Sequence, residues 1–145
     1  MPHIAVVDLG MGNLHSVGKA LERVAGGQSI RVTHEAQVIA SAERIVLPGV
    51  GAFAECKRGV EALSGMRDAL EEAVIGRGVP FLGICVGMQL LARFGCENGK
   101  HEGFGWIYND GPWINAVRAL VDGKVVATAQ LKEVGPPWSE VNPSN

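Results

Sequence analysis

The chain has 145 residues, and its 13 lysines and arginines against 15 aspartates and glutamates give a formal net charge of −2. Nucleic acids and anionic membrane surfaces bind concentrated basic patches, so this balance gives no reason to expect either as a partner. Apolar residues make up 47% of the chain, which is enough for one ordinary core. We therefore expect a single domain over residues 1–145.

The N-terminus and the cysteines indicate the cellular setting. No apolar run approaches the length of a membrane-spanning helix, and the first residues lack the basic start and long apolar stretch of a signal peptide. Cys56, Cys85 and Cys96 are an odd number of cysteines without a secretion signal, which favours a reducing, cytoplasmic setting. Because no C-x-x-C or H-x-x-x-H pair occurs, we expect no metal site, and no motif indicates a cofactor.

Strands alternate with helices along the chain. Short apolar runs bounded by glycine, proline or charged residues predict strands at 3–7, 30–32, 45–47 and 79–84. The remaining periodic segments predict helices around 17–24, 38–40, 53–63, 66–75 and 86–94. Helical spacing defines an expected buried face on the first helix, made of Val17, Ala20, Leu21 and Val24. The corresponding face of residues 66–75 is made of Met66, Ala69, Leu70 and Ala73.

This alternation predicts a doubly wound α/β fold. Strands separated by helices need right-handed crossovers, which give a mostly parallel sheet with helices on both faces. Ligands of such folds bind beyond the carboxyl ends of the strands. Three loops leave that edge, at residues 9–13, 48–53 and 83–87.

The most informative motif has the form G-x-C-x-G and covers residues 83–87, between a predicted strand and a predicted helix. This is the nucleophile-elbow pattern with Cys85 in the place of serine. The glycines permit a tight turn that exposes the cysteine, and the following helix start favours a thiolate. The backbone N–H of Val86 is then placed to stabilise an oxyanion. The alternative is a buried cysteine that acts as a small hydrophobe.

A second glycine-rich segment ends another strand. Gly49, Val50 and Gly51 follow Pro48, and such a segment exposes backbone N–H groups that can complete an oxyanion hole, although a plain turn explains it equally well. The run that starts at Gly10 resembles a dinucleotide fingerprint, but His15 stands where its third glycine belongs. We interpret Cys56 as structural and Cys96 as a residue without a catalytic role.

Three blocks carry a family resemblance. Residues 8–17, 47–52 and 81–91, in this order and at these spacings, resemble the glutamine amidotransferase subunit of imidazole glycerol phosphate synthase. The elbow alone indicates only the class I, triad-type amidotransferases, whereas the other two blocks favour this subunit. The resemblance is close through Trp106 and weaker over residues 117–120 and 133–141.

The resemblance implies a glutaminase of histidine biosynthesis. Cys85 would attack the side-chain amide of glutamine, and the released ammonia would pass to a cyclase subunit in a heterodimer. Val86 and Gly49, Val50 and Gly51 would form the oxyanion hole. The substrate-binding residues implied by the resemblance are Gly87, Gln89 and Glu97.

One feature departs from the family pattern. A cysteine nucleophile needs a general base, which the family supplies as the histidine of a late His-Pro-Glu segment. This sequence contains only His3, His15, His34 and His101, and no such segment. We therefore expect a C-terminally truncated member, a partial gene product or a fragment that is inactive as it stands.

Two classes of function remain open. The first is the glutaminase subunit, whose intact form carries the missing histidine and glutamate. The second is a non-catalytic, amidotransferase-like domain that binds glutamine or a partner without turnover. A nucleotide or redox domain of flavodoxin type is a distant third.

Overall fold

The computed structural model describes residues 2–106 in full and the backbone of two further strands at 116–121 and 124–130. The strands are β1 (His3–Val7), β2 (Ser29–Thr33), β3 (Arg44–Gly49), β4 (Phe81–Cys85), β5 (Phe94–Gly95), β6 (His101–Glu102), β7 (Ala116–Val121) and β8 (Lys124–Gln130). The α-helices are α1 (Leu14–Val24), α2 (Ala36–Ala40), α3 (Phe53–Ala62), α4 (Met66–Glu71) and α5 (Val86–Gln89), and a π-helical turn (Glu72–Gly76) continues α4. The weaker part of the resemblance at 133–141 lies outside the described residues.

The predicted parallel sheet is confirmed. Its order is β2-β1-β3-β4, and all three pairings are parallel. Strands β5 and β6 form one small antiparallel pair, and β7 and β8 form another. Gly49, the last residue of β3, is level with Cys85, the last residue of β4. The register therefore places the two predicted parts of the site side by side.

Helices cover both faces of the sheet, as the doubly wound prediction requires. Alternate residues of β1 and β3 point to opposite faces, so Ala5 and Leu47 belong to a large core, whereas Val6 and Val46 belong to a smaller one. The large core includes side chains from α2, α3, α4 and α5. The small core is closed by α1.

The predicted face of α1 is wrong by about one position. The residues that pack on the small core are Leu14, Val17, Leu21 and Ala25, whereas Val24 is 79% exposed. Gly18 is the buried residue of this helix, and a Cβ built there would meet Val32 at an ordinary 3.6 Å. The side of α1 that carries Gly18 therefore faces the sheet, and Val24 lies on the outer side. The predicted face of residues 66–75 is confirmed, with Met66, Leu70 and Ala73 fully buried.

The helix after the elbow is shorter than predicted. It ends at Gln89 instead of reaching residue 94, and tighter turns follow in which the N–H of Leu91 and that of Ala92 each bond a carbonyl three residues earlier. A segment at residues 103–106 then donates four backbone hydrogen bonds to carbonyls of residues 90–93. We call residues 103–106 the strap. The helix therefore stops after one turn, and the carbonyls of the turns that follow it are bonded by the strap.

No helix in the described part of the chain combines the length and the apolar character needed to cross a membrane.

Candidate active site

The junction of β4 and α5 has the geometry of a nucleophile elbow. Cys85 has φ 56° and ψ −120°, which lies in a region that non-glycine residues seldom adopt, and its side chain is exposed. A Cβ on Gly83 would come 2.5 Å from the Cα of Met88, and a Cβ on Gly87 would overlap the carbonyl oxygen of Leu47. Both glycines are therefore required by the close approach of backbone to backbone, as the motif predicted.

The segment from Gly49 to Gly51 packs directly against the elbow. A Cβ on Gly49 would lie 2.5 Å from the backbone nitrogen of Gly87, so only glycine fits there. Gly51 has φ 80°, a value that favours glycine, and Val50 between them is partly exposed. The structure therefore places Gly49 against the first turn of α5, and Val50 and Gly51 follow it at the carboxyl edge of the sheet.

The loop at residues 9–13 completes the same edge. A Cβ on Gly12 would meet a methyl group of Val50 at 3.4 Å, so this loop touches the segment from Gly49 to Gly51. Asn13 caps α1, because its side-chain oxygen accepts a hydrogen bond from the N–H of Ser16 at 3.2 Å. The three loops predicted at the carboxyl edge of the sheet are thus contiguous in the structure.

The predicted substrate-binding residues occupy different surroundings. Gln89 is the last residue of α5, one turn after Cys85, and it is exposed. Gly87, in contrast, is buried. Glu97 reaches the start of α3, where a carboxylate oxygen accepts a hydrogen bond from the N–H of Phe53 at 3.4 Å. Since α3 begins just after Gly51, Glu97 belongs to the same edge of the molecule.

Cys56 lies beneath this site. It is completely buried on α3, in the large core, and a Cβ on Gly49 would come 2.7 Å from its sulfur. Burial, and then the charge of Cys85, raise the pKa of the Cys56 thiol above its ordinary value of 9.0. Cys56 is therefore a neutral thiol at physiological pH, which agrees with its interpretation as structural.

The four histidines make no hydrogen bond to the sulfur of the elbow in the described residues. His3 starts β1, at the opposite end of the sheet, and its ring bonds the carbonyl of Val38 at 2.9 Å. By the strand register it lies about 20 Å from Cys85 along the strands. His15 and His34 are exposed, and the ring of His101 bonds the carbonyl of Asn98. Within residues 2–106, Cys85 makes no hydrogen bond to a histidine.

The strap is the part of the site that the sequence reasoning missed. A Cβ on Gly103 would overlap the carbonyl oxygen of Ala92, so this approach also requires glycine. Arg67 of α4 holds the strap from outside, since its guanidinium lies 4.6 Å from the centre of the Phe104 ring and donates a hydrogen bond to the Phe104 carbonyl at 3.2 Å. The alternation of glycine and aromatic residues at 103–106 was the signal that could have indicated such a close contact.

The nucleophile elbow and the parallel sheet are typical of one class of protein, and comparison with known sequences indicates the same class. The sequence model of the family described as Glutamine amidotransferase class-I matches residues 5–133. The chain therefore belongs to the class I glutamine amidotransferase family. A solved structure titled "Crystal structure of glutamine amidotransferase" has a TM-score of 0.59 at 16% identity, covering 80% of this chain and 62% of that one, which supports the fold.

Two relatives within this family bear the same name. The chain is 55% identical over 108 residues to "Imidazole glycerol phosphate synthase subunit HisH" of Rhodospirillum rubrum, which covers 72% of this chain and 50% of the relative. It is 43% identical over 143 residues to the protein of the same name in Brucella suis, which covers 96% of this chain and 62% of the relative. The chain thus spans about half to three fifths of the length of these relatives.

Proposed function

We propose that the protein is the glutaminase subunit of an imidazole glycerol phosphate synthase, acting in the cytoplasm on glutamine. The observation that carries this proposal is the exposed Cys85 at positive φ, level with the buried Gly49 of the neighbouring strand, in a chain of the class I family. Relatives that bear the name of this subunit are similar over most of the chain.

Each site residue has a role in the proposed reaction. The sulfur of Cys85 attacks the amide carbon of glutamine, and the carbonyl oxygen becomes an oxyanion. The N–H of Val86 and those of the segment from Gly49 to Gly51 stabilise that charge, because fixed donors aimed at a developing charge lower the barrier. Ammonia leaves and a thioester remains, which water then hydrolyses to glutamate. Gly87, Gln89 and Glu97 bind the substrate.

A general base is required for turnover, and no histidine of residues 2–106 bonds to Cys85. We therefore propose that the 145-residue chain binds and is labelled by glutamine-like electrophiles but does not turn glutamine over. The catalytic histidine and glutamate would belong to a longer form of the protein. This combination also fits the second candidate, a binding domain without turnover.

The proposed partner is a cyclase subunit that consumes the ammonia. Ammonia is easily lost to water, so the releasing site should face the consuming site. The contiguous loops 9–13, 48–53 and 83–87 form the rim that such a partner would cover. A charge introduced at Asn13 or Ala52 of the longer form should weaken binding to the cyclase, whereas a charge change at Glu72 on the far helix should not. Unchanged binding in both rim variants, with loss in the Glu72 variant, would place the partner elsewhere.

The labelling experiment tests the nucleophile directly. The chain is treated with a chloroketone analogue of glutamine and with iodoacetamide, and the modified peptides are mapped. We expect the chloroketone to modify Cys85 first and to be blocked by excess glutamine. Faster modification of Cys56 or Cys96 would contradict the assignment of the nucleophile.

Ammonia release separates the two candidate functions. We expect the 145-residue chain to release no ammonia at the rate of an ordinary enzyme, on the order of 1 per second. The form extended to the full length of the relatives should do so when the cyclase is present. An extended form that is labelled at Cys85 but never releases ammonia would favour the binding domain, and steady release by the 145-residue chain would show that another residue serves as the base.

A further inference from the structure

Cys56 occupies a position that a purely structural reading does not explain. It is the fourth residue of α3, and its side chain points toward the carboxyl edge of the sheet, where the nucleophile lies. Cys56 is a member of the large core. In addition, its sulfur lies against the backbone of Gly49, beside the peptide that joins Val86 to Gly87.

Two backbone segments and one side chain meet at this point. The side of Gly49 on which a Cβ would lie is filled by the Gly87 nitrogen, the Val86 carbonyl carbon and the Cys56 sulfur, at 2.5, 3.1 and 2.7 Å from that Cβ position. On this side, Gly49 therefore contacts both the Val86–Gly87 peptide and the Cys56 thiol. Gly49 is also level with Cys85 in the neighbouring strand, so any shift of Gly49 moves the proposed oxyanion hole relative to the nucleophile.

The size and polarity of a thiol suit this position. A cysteine side chain is small and behaves as a weakly polar hydrophobe, so it fills the space without requiring a hydrogen-bond partner. A serine would bury a hydroxyl that needs one, and a valine would add a methyl group where the contact is already close. An alanine would leave the space empty.

From this packing we infer that Cys56 is a positioning residue, whose sulfur sets the separation between the segment from Gly49 to Gly51 and the first turn of α5. Cys56 does not touch the substrate, and it acts through the backbone of Gly49. Its kinetic consequence rests on the proposed glutaminase function, whereas its structural consequence does not. The two can therefore be measured separately.

The structural consequence is tested by amide hydrogen exchange on the 145-residue chain. The variants are Cys56→Val, Cys56→Ser and Cys56→Ala, and the controls are Val60→Ile and Val60→Ala. Val60 is equally buried one turn along the same helix, within the same large core. We expect Cys56→Val to speed exchange about tenfold or more at residues 47–51 and 85–88, relative to the rest of the sheet. The controls should change exchange uniformly or in α3 alone.

The kinetic consequence is tested by labelling Cys85 in the same variants. The chloroketone analogue of glutamine requires an ordered site, whereas iodoacetamide requires only an exposed sulfur. A small misplacement of catalytic groups lowers rates strongly, so Cys56→Val should reduce chloroketone labelling about 10- to 100-fold while iodoacetamide labelling changes little. Chloroketone labelling should fall less in Cys56→Ala than in Cys56→Val, because alanine adds no atom in the space beside Gly49.

The outcomes distinguish this inference from the proposed function. If the parent chain shows no preference for the glutamine analogue, the proposed function fails, and the exchange measurement still decides the role of Cys56. If exchange and the labelling ratio in all three Cys56 variants match those of the Val60 controls, Cys56 is an ordinary core residue and the inference is wrong. If Cys56→Val does not fold, the same comparison with Cys56→Ala and Cys56→Ser decides.

Discussion

Strands β3 and β4 are neighbours in the sheet, yet their surroundings differ greatly. Every residue of β3 from Ile45 to Gly49 is buried, whereas Leu82 and Ile84 of β4 are 53% and 38% exposed. Strand β3 lies between two strands and contributes to both cores. Strand β4 is the last strand of its sheet among the described residues, and its Leu82 and Ile84 belong to neither core.

This difference explains how the proposed site can be both rigid and accessible. Strand β3 provides the fixed part, because its last residue, Gly49, is held by packing on several sides. Strand β4 provides the accessible part, because it ends in the exposed Cys85. A nucleophile needs access to substrate, whereas an oxyanion hole needs fixed donors. The two neighbouring strands divide these requirements.

The largest expected effect on stability comes from disturbing the contact between β3 and α5, the helix that follows β4. Gly87→Ala places a methyl group on the carbonyl oxygen of Leu47, so β3 and α5 must move apart. Overpacking against backbone should lower the free energy of unfolding by about 3 kcal/mol or more, measured by urea denaturation. Gly76→Ala is the control, since nothing lies within 4 Å of a Cβ there. Equal stability of the two variants would mean that the close approach is absent in solution.

The next prediction compares how much stability depends on a leucine of β3 and on a leucine of β4. Leu47→Ala removes a fully buried side chain of β3 and should cost about 2–5 kcal/mol of unfolding free energy. Leu82→Ala makes the same chemical change on β4 at a largely exposed side chain, and its effect should stay within about 0.5 kcal/mol. Similar losses in both variants, measured by thermal and urea unfolding, would show that the exposed face of β4 is covered in solution.

Hydropathy and periodicity were sufficient to predict the four strands and the alternating helices. They could not predict the order β2-β1-β3-β4 or the exposure of β4, because an apolar run has the same composition at the centre and the edge of a sheet. The buried face of α1 was also displaced from the prediction, with Gly18 buried and Val24 exposed. Periodicity assigns the face of this helix only approximately, because its apolar residues lie on more than one side.

The elbow was predictable because its glycines are required by backbone contacts that local sequence encodes. The length of α5 was not, because the turns after Gln89 pack against residues 103–106, more than ten positions later in the chain. The position of Cys56 under Gly49 also depends on packing between α3 and β3. The roles in catalysis and substrate binding stay predictions for every site residue, namely Cys85, Val86, Gly49, Val50, Gly51, Gly87, Gln89 and Glu97.

The third prediction concerns how Arg67 holds the strap against the turns that follow α5. Arg67→Ala removes a hydrogen bond to the Phe104 carbonyl and a contact with its ring, so we expect a loss of about 1 kcal/mol in unfolding free energy and faster amide exchange at residues 90–93. Lys19→Ala, which removes only an exposed ion pair with Glu22, should change stability by less than about 0.5 kcal/mol. Unchanged exchange at residues 90–93 in the Arg67→Ala variant would show that Arg67 does not hold the strap against them.

The smallest effect is a pH dependence that involves Cys85 at the end of β4 and Cys56 of α3, which packs against the last residue of β3. Burial, and then the charge of Cys85, raise the pKa of Cys56 in the folded chain above its ordinary value of 9.0. As the pH rises past that value, the unfolded chain loses the Cys56 proton first, so stability is fully present below it and is lost above it. Urea unfolding across this range should therefore show a fall in stability that Cys56→Ala reduces most. Because burial is the larger cause, Cys85→Ala should reduce the fall only in part. A slope that Cys85→Ala removes entirely, or that Cys56→Ala leaves unchanged, would show that the thiol beneath Gly49 is not the group that titrates.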